Sequence, residues 1–310
     1  MRYAVLFPGQ GSQRVGMGAD LFEARSDRLV EVPDRVLGWS LREVCLEGPE
    51  EKLTATEHAQ PVLYALAYQL WMELSERVGH PPVAAAGHSL GEYTALAAAG
   101  AFSYETGLGL VDRRARAMAD AVAQVESGMA ALLGVSDEVA RQVAADRRLE
   151  GGRIWVANLN APGQVVAAGA LEDIGWLVAN ARDLGIRRAI RLEVAGAFHT
   201  PLMEPAESRL AAALAGVEVN PHAFPVWANV TARPMTSGDA RDMLIRQITA
   251  PVRFGETLRG MADAGVDAFV HVGPGDVTAG LARRAVRGCR VMVVSSIAEA
   301  EEVAARLGRS

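Results

Sequence analysis

Gly87-His88-Ser89-Leu90-Gly91 sets a serine between two glycines, where an apolar run, Val83 to Ala86, meets a helix-like stretch beginning at Glu92. This is the pattern of a nucleophile elbow, a sharp strand-to-helix turn whose backbones pass so closely that flanking side chains would obstruct it, with the serine held in a strained conformation. The predicted chemistry is acyl transfer. The Ser89 hydroxyl attacks, and unpaired N–H groups at the start of the helix meet the oxyanion that forms. A serine hydroxyl needs a base, and histidine suits because its pKa lies at about 7. Of the six histidines, His88 adjoins the serine and is expected to point elsewhere, while His58, His80 and His222 sit in loop-like or polar settings. His199, in Gly196-Ala197-Phe198-His199-Thr200-Pro201, and His271, in Val270-His271-Val272-Gly273-Pro274-Gly275, each close a strand. Spacing alone leaves these two as equal candidates, and an esterase reading would join Ser89 and His271 to an aspartate such as Asp242 or Asp263.

Positioning these residues requires an α/β framework. Tyr3 to Phe7 reads as a short buried strand ended by Pro8-Gly9, Gln60 to Glu76 and Glu105 to Val122 carry helical periodicity, and the apolar strand into Ser89 lies between them. Strands that alternate with helices imply a parallel sheet. From Gly128 the texture changes, to strands at Met129 to Val135, Ile154 to Asn158, Val165 to Ala168 and Arg187 to Val194, with helices at Glu138 to Asp146 and Glu172 to Leu184. That β-α-β-β-α-β order is the ferredoxin-like arrangement. The predicted fold class is therefore α/β, with a large α/β-hydrolase-like domain over 1–127 and 196–310 and an inserted ferredoxin-like subdomain over 128–195. Pro225 to Asn229 and Ala268 to Val272 are further strands of the large domain, and the cleft between the lobes is the expected active site.

Composition removes several function classes. The formal charge of −6 argues against a general nucleic-acid binder, and no apolar run approaches the length of about 20 residues needed to cross a bilayer. The chain opens directly into a strand-like run with no signal peptide, so the expectation is a cytoplasmic monomer with no membrane partner. Cys45 and Cys289 are too isolated for a disulfide framework or zinc site and are expected to be buried thiols. Lys52 is the sole lysine and no Gly-Lys-Ser/Thr occurs, which excludes a Walker-type site. Arg14 occupies the position where a dinucleotide fingerprint starting at Gly9 would need glycine.

Pro8-Gly9-Gln10-Gly11-Ser12-Gln13, the Gly87 to Gly91 elbow with Glu92-Tyr93, Leu110-Val111-Asp112-Arg113-Arg114 and Ala197-Phe198-His199 together resemble the malonyl-CoA:acyl carrier protein transacylase family. Asn158-Leu159-Asn160-Ala161-Pro162-Gly163-Gln164, Asn229-Val230-Thr231, Arg246-Gln247 and Gly273-Pro274-Gly275 extend the likeness over nearly the whole chain, and the family has an inserted ferredoxin-like subdomain. The resemblance implies that Ser89 is acylated, that His199 is its base and that Arg114 clamps the malonyl carboxylate, where a guanidinium gives two parallel charge-assisted hydrogen bonds. It implies that Gln10 and the backbone N–H of Leu90 serve the oxyanion hole, that a carbonyl near Gln247 orients the histidine without an aspartate, and that Asn160 helps order the site. Glu92 is read as a first-turn residue favoured by the helix dipole. Phe198 resembles malonyl-selective members, in which an aromatic side chain crowds the space of an α-branch.

The implied reaction is ping-pong transfer from malonyl-CoA to the phosphopantetheine thiol of an acyl carrier protein, with no bound cofactor and no metal. Arg182, Arg187, Arg188 and Arg191 are candidates for a basic face toward that acidic partner. His271 and Asp276 depart from family positions that are commonly Glu and Lys. The segment Leu37 to Glu47 looks closer to discrete acyltransferases serving polyketide synthases in trans than to fatty-acid enzymes. An acyl hydrolase or a transferase of another acyl group on the same fold is the alternative, although Arg114 speaks against it.

Overall fold

A computed structural model describes residues 1–308 of the protein; positions 309–310, the end of the second large-domain segment expected from the sequence, lie outside the described residues. Ten strands run in chain order: β1 (Tyr3–Phe7), β2 (Ala84–Gly87), β3 (Ser127–Leu133), β4 (Ile154–Ala161), β5 (Gln164–Ala170), β6 (Arg188–Arg191), β7 (Val226–Trp227), β8 (Pro234–Met235), β9 (Ala268–Val272) and β10 (Arg290–Val294). Six form one sheet in the order β10-β9-β1-β2-β7-β8, parallel except for the antiparallel edge strand β8. The chain is thus an α/β protein built on a parallel sheet.

The central strands are buried on both faces, β1 apolar throughout and β9 apolar but for His271, as a parallel sheet covered by helices requires. Alternation still divides them. Tyr3, Val5 and Phe7 join the core beneath the Thr56–Val78 helix, while Ala4 and Leu6 join the opposite core with Phe254, Leu258 and Leu281 from the Phe254–Asp263 and Val277–Ala285 helices. No helix among the described residues is long and apolar enough to cross a membrane.

The remaining four strands form an antiparallel sheet in the order β4-β5-β3-β6, interleaved in sequence with the Asp137–Leu149 and Leu171–Ala179 helices. One face, including Ala130, Leu132, Val156 and Val165, packs on these helices. The other, with Met129, Ala157 and Val166, belongs to the main core. β4 is also tied by backbone to the segment before the Phe254–Asp263 helix: Leu159 N–H donates to Val252 O at 2.8 Å, and Val252 N–H donates to Ala157 O at 2.9 Å.

Several expected elements are shorter in the structure. The strand read over Arg187 to Val194 is confined to Arg188–Arg191, because β6 is an edge strand with only β3 to pair with. The helix read through Leu184 ends at Ala179, and Asn180 closes its last turn by donating a side-chain bond to Trp176 O at 2.8 Å. Pro225 to Asn229 contributes only two strand residues, Val226–Trp227. Cys45 is buried, but Cys289 is only partly so, in the turn leading into β10.

Candidate active site

β2 ends at Gly87 and a helix begins at Gly91, so the chain reverses direction in three residues. A Cβ on Gly87 would lie 1.8 Å from the carbonyl carbon of Gly91, and one on Gly91 would lie 2.3 Å from Phe7 O. Both glycines are therefore required for space. Ser89, between them, has φ 51°, a left-handed conformation that costs a non-glycine residue free energy. The strain is held by Asn229, whose Oδ1 accepts Ser89 N–H at 2.7 Å and whose Nδ2 donates to Gly87 O at 2.7 Å.

His199 lies in the segment leaving β6, also in the left-handed region at φ 60° and buried. Its Nδ1 lies 2.7 Å from Gln247 O and its Nε2 lies 2.7 Å from Ser89 Oγ. A carbonyl only accepts, so Nδ1 carries the proton and the Nε2 lone pair faces the serine hydroxyl. Gln247 O is available because Gln247 caps the C-terminus of the Ala240–Arg246 helix, where carbonyls lack helical partners. Burial, then the neighbouring Arg114 charge, lower the His199 pKa to about 3.

Arg114 projects from the buried face of the Tyr104–Val122 helix, in line with Leu110 and Met118, and is 1% exposed. Its Nη1 donates to Gln60 Oε1; its Nη2 donates to Gln247 Oε1 at 2.9 Å and to Ser89 Oγ at 3.1 Å. Arg114 forms no ion pair among the described residues. The guanidinium is thus a buried cation, held by neutral amides, beside the serine hydroxyl. Such a group is suited to an anionic ligand.

Ser89, His199 and Arg114 line one cleft of about 190 Å³ with Gln10, Leu90 and Phe198, opposite Met129, Asn160 and Val166 of the four-stranded sheet. The Gln10 side chain turns to Thr56, its Nε2 donating to Oγ1 at 3.3 Å. The backbone N–H groups of Gln10 and Leu90 have no protein acceptor among the described residues.

Three placements add to the sequence reading, and the first corrects it. His88 points into the cleft, its Nε2 2.8 Å from Asn160 Oδ1, and Asn160 thereby meets the elbow through its neighbour. Glu92 does occupy the first helical turn, but it is fully buried. Its Oε2 accepts Gln247 Nε2 at 2.6 Å and Asn229 N–H at 3.3 Å. Burial pushes its carboxyl up to about 7. His271 is buried on β9 with Nδ1 2.5 Å from Thr278 Oγ1 and Nε2 3.1 Å from Gly273 O, leaving no ring nitrogen for Ser89. Asp242 pairs with Arg246 on an exposed helix surface and Asp263 is exposed, so the esterase constellation does not assemble. Sequence reasoning also passed over Gln60 and the grip of Asn229. Glu92 carried a readable signal: Tyr93 to Ala99 is almost wholly apolar, and a helix apolar on all sides is buried, so an acid within it needs partners.

The buried groups fix the pH response of stability. His199 at about 3 and His271 at about 4 lie below their ordinary 6.5, whereas Glu92 at about 7 lies above its ordinary 4.5. Between pH 4.5 and 6.5 the unfolded chain protonates His199 and His271 while the folded chain keeps both neutral and holds a proton on Glu92; burial lowers His88, His58 and His222 as well and adds to the histidine side. The histidine contribution is present above pH 6.5 and lost on acidification, the Glu92 contribution has the opposite sign, and the histidines outweigh it. Stability should therefore fall as pH drops across this window. Urea unfolding is expected to show a lower midpoint at pH 4.5 than at pH 6.5; equal midpoints would contradict these burials.

A family model described as acyl transferase domain matches residues 5–308. The chain is 39% identical over 297 residues to the malonyl CoA-acyl carrier protein transacylase of Bacillus subtilis, covering 95% of this chain and 93% of that one. It is likewise 39% identical over 282 residues to the polyketide biosynthesis protein ThaF of Burkholderia thailandensis, covering 91% of this chain but 24% of that protein. Among solved structures it is similar to a malonyl transacylase in complex with its type II polyketide synthase acyl carrier protein, with TM-score 0.94, 34% identity and coverage of 99% and 100%.

Proposed function

The chain belongs to the acyl transferase domain family, and on that premise we propose how its residues carry out malonyl transfer from malonyl-CoA to an acyl carrier protein. The observation that carries the reading is Ser89 Oγ held between His199 Nε2 at 2.7 Å and Arg114 Nη2 at 3.1 Å. Nε2 takes the hydroxyl proton as Oγ attacks the thioester carbonyl. The free N–H groups of Gln10 and Leu90 receive the oxyanion, and His199 returns the proton to the CoA sulfur as the C–S bond breaks. The phosphopantetheine thiol of the carrier then gives its proton to His199 and attacks the malonyl carbonyl, and as the C–O bond to Ser89 breaks His199 returns the proton to Oγ.

Arg114 binds the malonyl carboxylate. Its positive charge also weakens His199 as a base, so a bound carboxylate strengthens that base as the substrate seats. Phe198, buried beside the histidine, limits the space at the α-carbon, and Asn160 and Gln247 fix the walls through His88 and Arg114. We assign the six-stranded unit, 1–127 with 196–310, to an α/β-hydrolase-like domain and 128–195 to a ferredoxin-like insert, in keeping with the β4-β5-β3-β6 order. Arg182, Arg187 and Arg188 line an open groove of about 720 Å³ beside β6 and, with Arg191, offer an acidic carrier a basic edge. A CoA thioester donor and a carrier that serves fatty-acid synthesis or a polyketide synthase in trans support a cytoplasmic reaction.

The test is intact-protein mass after mixing with malonyl-CoA, methylmalonyl-CoA and acetyl-CoA, followed by addition of a holo carrier protein. A malonyl adduct that the carrier removes is expected. Acetyl labelling as fast as malonyl, or free acid accumulating without an adduct, would refute malonyl transfer.

A further inference from the structure

We propose that Glu92 is a positioning residue that sets the amide of Gln247, and through it the carboxylate clamp. Gln247 is a hub. Its carbonyl holds His199 Nδ1, its Oε1 accepts from Arg114 Nη2 at 2.9 Å, and its Nε2 donates to Ser89 O at 2.9 Å and to Glu92 Oε2 at 2.6 Å. A primary amide can be turned end for end at little steric cost, so its orientation is decided by its partners. Arg114 can only donate, and Glu92 Oε2 accepts both Gln247 Nε2 and Asn229 N–H. The two acceptors at one end, Glu92 Oε2 at 2.6 Å and Ser89 O at 2.9 Å, fix NH2 there and leave Oε1 for the guanidinium at the other.

Without an oxygen in the place of Glu92 Oε2, Ser89 O alone would hold the NH2 end, and each amide that turned would direct N–H toward the Arg114 cation and cost the guanidinium one of its two amide anchors. The same oxygen touches Asn229, which grips both sides of the elbow. One buried carboxyl thus ties the clamp on the Tyr104–Val122 helix to the nucleophile on the β2 turn.

The proposal rests on malonyl as the acyl group, and its test separates the two ideas. Glu92→Gln keeps an oxygen at the reach of Oε2 but removes the charge; Glu92→Asp keeps the charge but withdraws the oxygen by about 1.5 Å, one carbon–carbon bond. Each is compared with wild type in the rate of malonyl adduct formation and in labelling by a fluorophosphonate, which reports the serine and its base without the clamp. Glu92→Asp is expected to slow malonyl loading about tenfold while fluorophosphonate labelling changes less than about threefold, and Glu92→Gln to stay within about threefold on both. The reverse order, with Glu92→Gln the more damaged, would make Glu92 a counter-charge and overturn the proposal. Equal slowing of both reactions in Glu92→Asp would also overturn it, since that is the mark of simple structural support. Wild type that takes the fluorophosphonate but no malonyl would defeat the malonyl reading itself.

Discussion

Ser89→Ala is expected to abolish the malonyl adduct and to lower transfer by roughly 10⁴-fold or more, the scale on which serine–histidine enzymes depend on their nucleophile. The change removes only an oxygen. Asn229 still holds the elbow through backbone groups, so unfolding midpoints should stay close to wild type and the loss can be assigned to chemistry. His199→Ala should fall nearly as far, because no other histidine nitrogen bonds to Ser89 Oγ. Losses of the two variants should not multiply in the double variant, since the residues act as one unit. Single-turnover loading measured by intact mass checks this, and rapid adduct formation in His199→Ala would remove it as the base.

Arg114→Ala should have the second largest effect, and the opposite sign for different donors. For malonyl-CoA, kcat/KM is expected to fall by about 10²- to 10³-fold, the cost of losing a buried charged partner. For acetyl-CoA the clamp contributes nothing, while the Arg114 charge depresses His199. Removing it should leave acetyl loading at least as fast as in wild type. Arg114→Lys should recover little, because an ammonium cannot span Gln60, Gln247 and Ser89 Oγ with one planar fork. Competition between the two donors, read by mass on one sample, measures the change in preference directly. A parallel loss for both donors would mean that Arg114 only supports the fold.

Much of this arrangement could be read from the chain because its signals are local. Tyr3–Phe7 and Ala268–Val272 are short apolar runs bounded by turn residues, and the structure has strands over those same spans. The elbow is legible because Gly87 answers to a contact a few residues away, Gly91 itself, although Gly91 is pressed by the distant Phe7 carbonyl. The choice between His199 and His271 was not local. Each ends a strand, and only the resemblance to a family separated them; the structure does so by filling both ring nitrogens of His271 with its own loop. The rest of the site is a matter of distance along the chain. Gln60 lies 54 residues from Arg114, Asn229 lies 140 from Ser89, and Gln247 lies 155 from Glu92. Neither periodicity nor spacing encodes which of many amides will meet across such separations. The tertiary packing decides it, and His88 shows the same limit, since its ring direction depends on Asn160 from the other sheet.

The backbone bonds from Val252 to Ala157 and Leu159 bear on how this enzyme can be re-engineered. The small sheet is not a detachable cassette: β4 completes its pairing with a residue from the return half of the chain, and the segment that leaves β6 carries His199, the proposed base, eight positions on. A chimera that exchanged 128–195 for the matching segment of a relative should disturb the β-bridge at one side and the aim of His199 at the other. Grafts intended to alter acyl preference should therefore keep the Val252 contacts and the whole run from β6 to His199, and vary only the side chains that face the cleft.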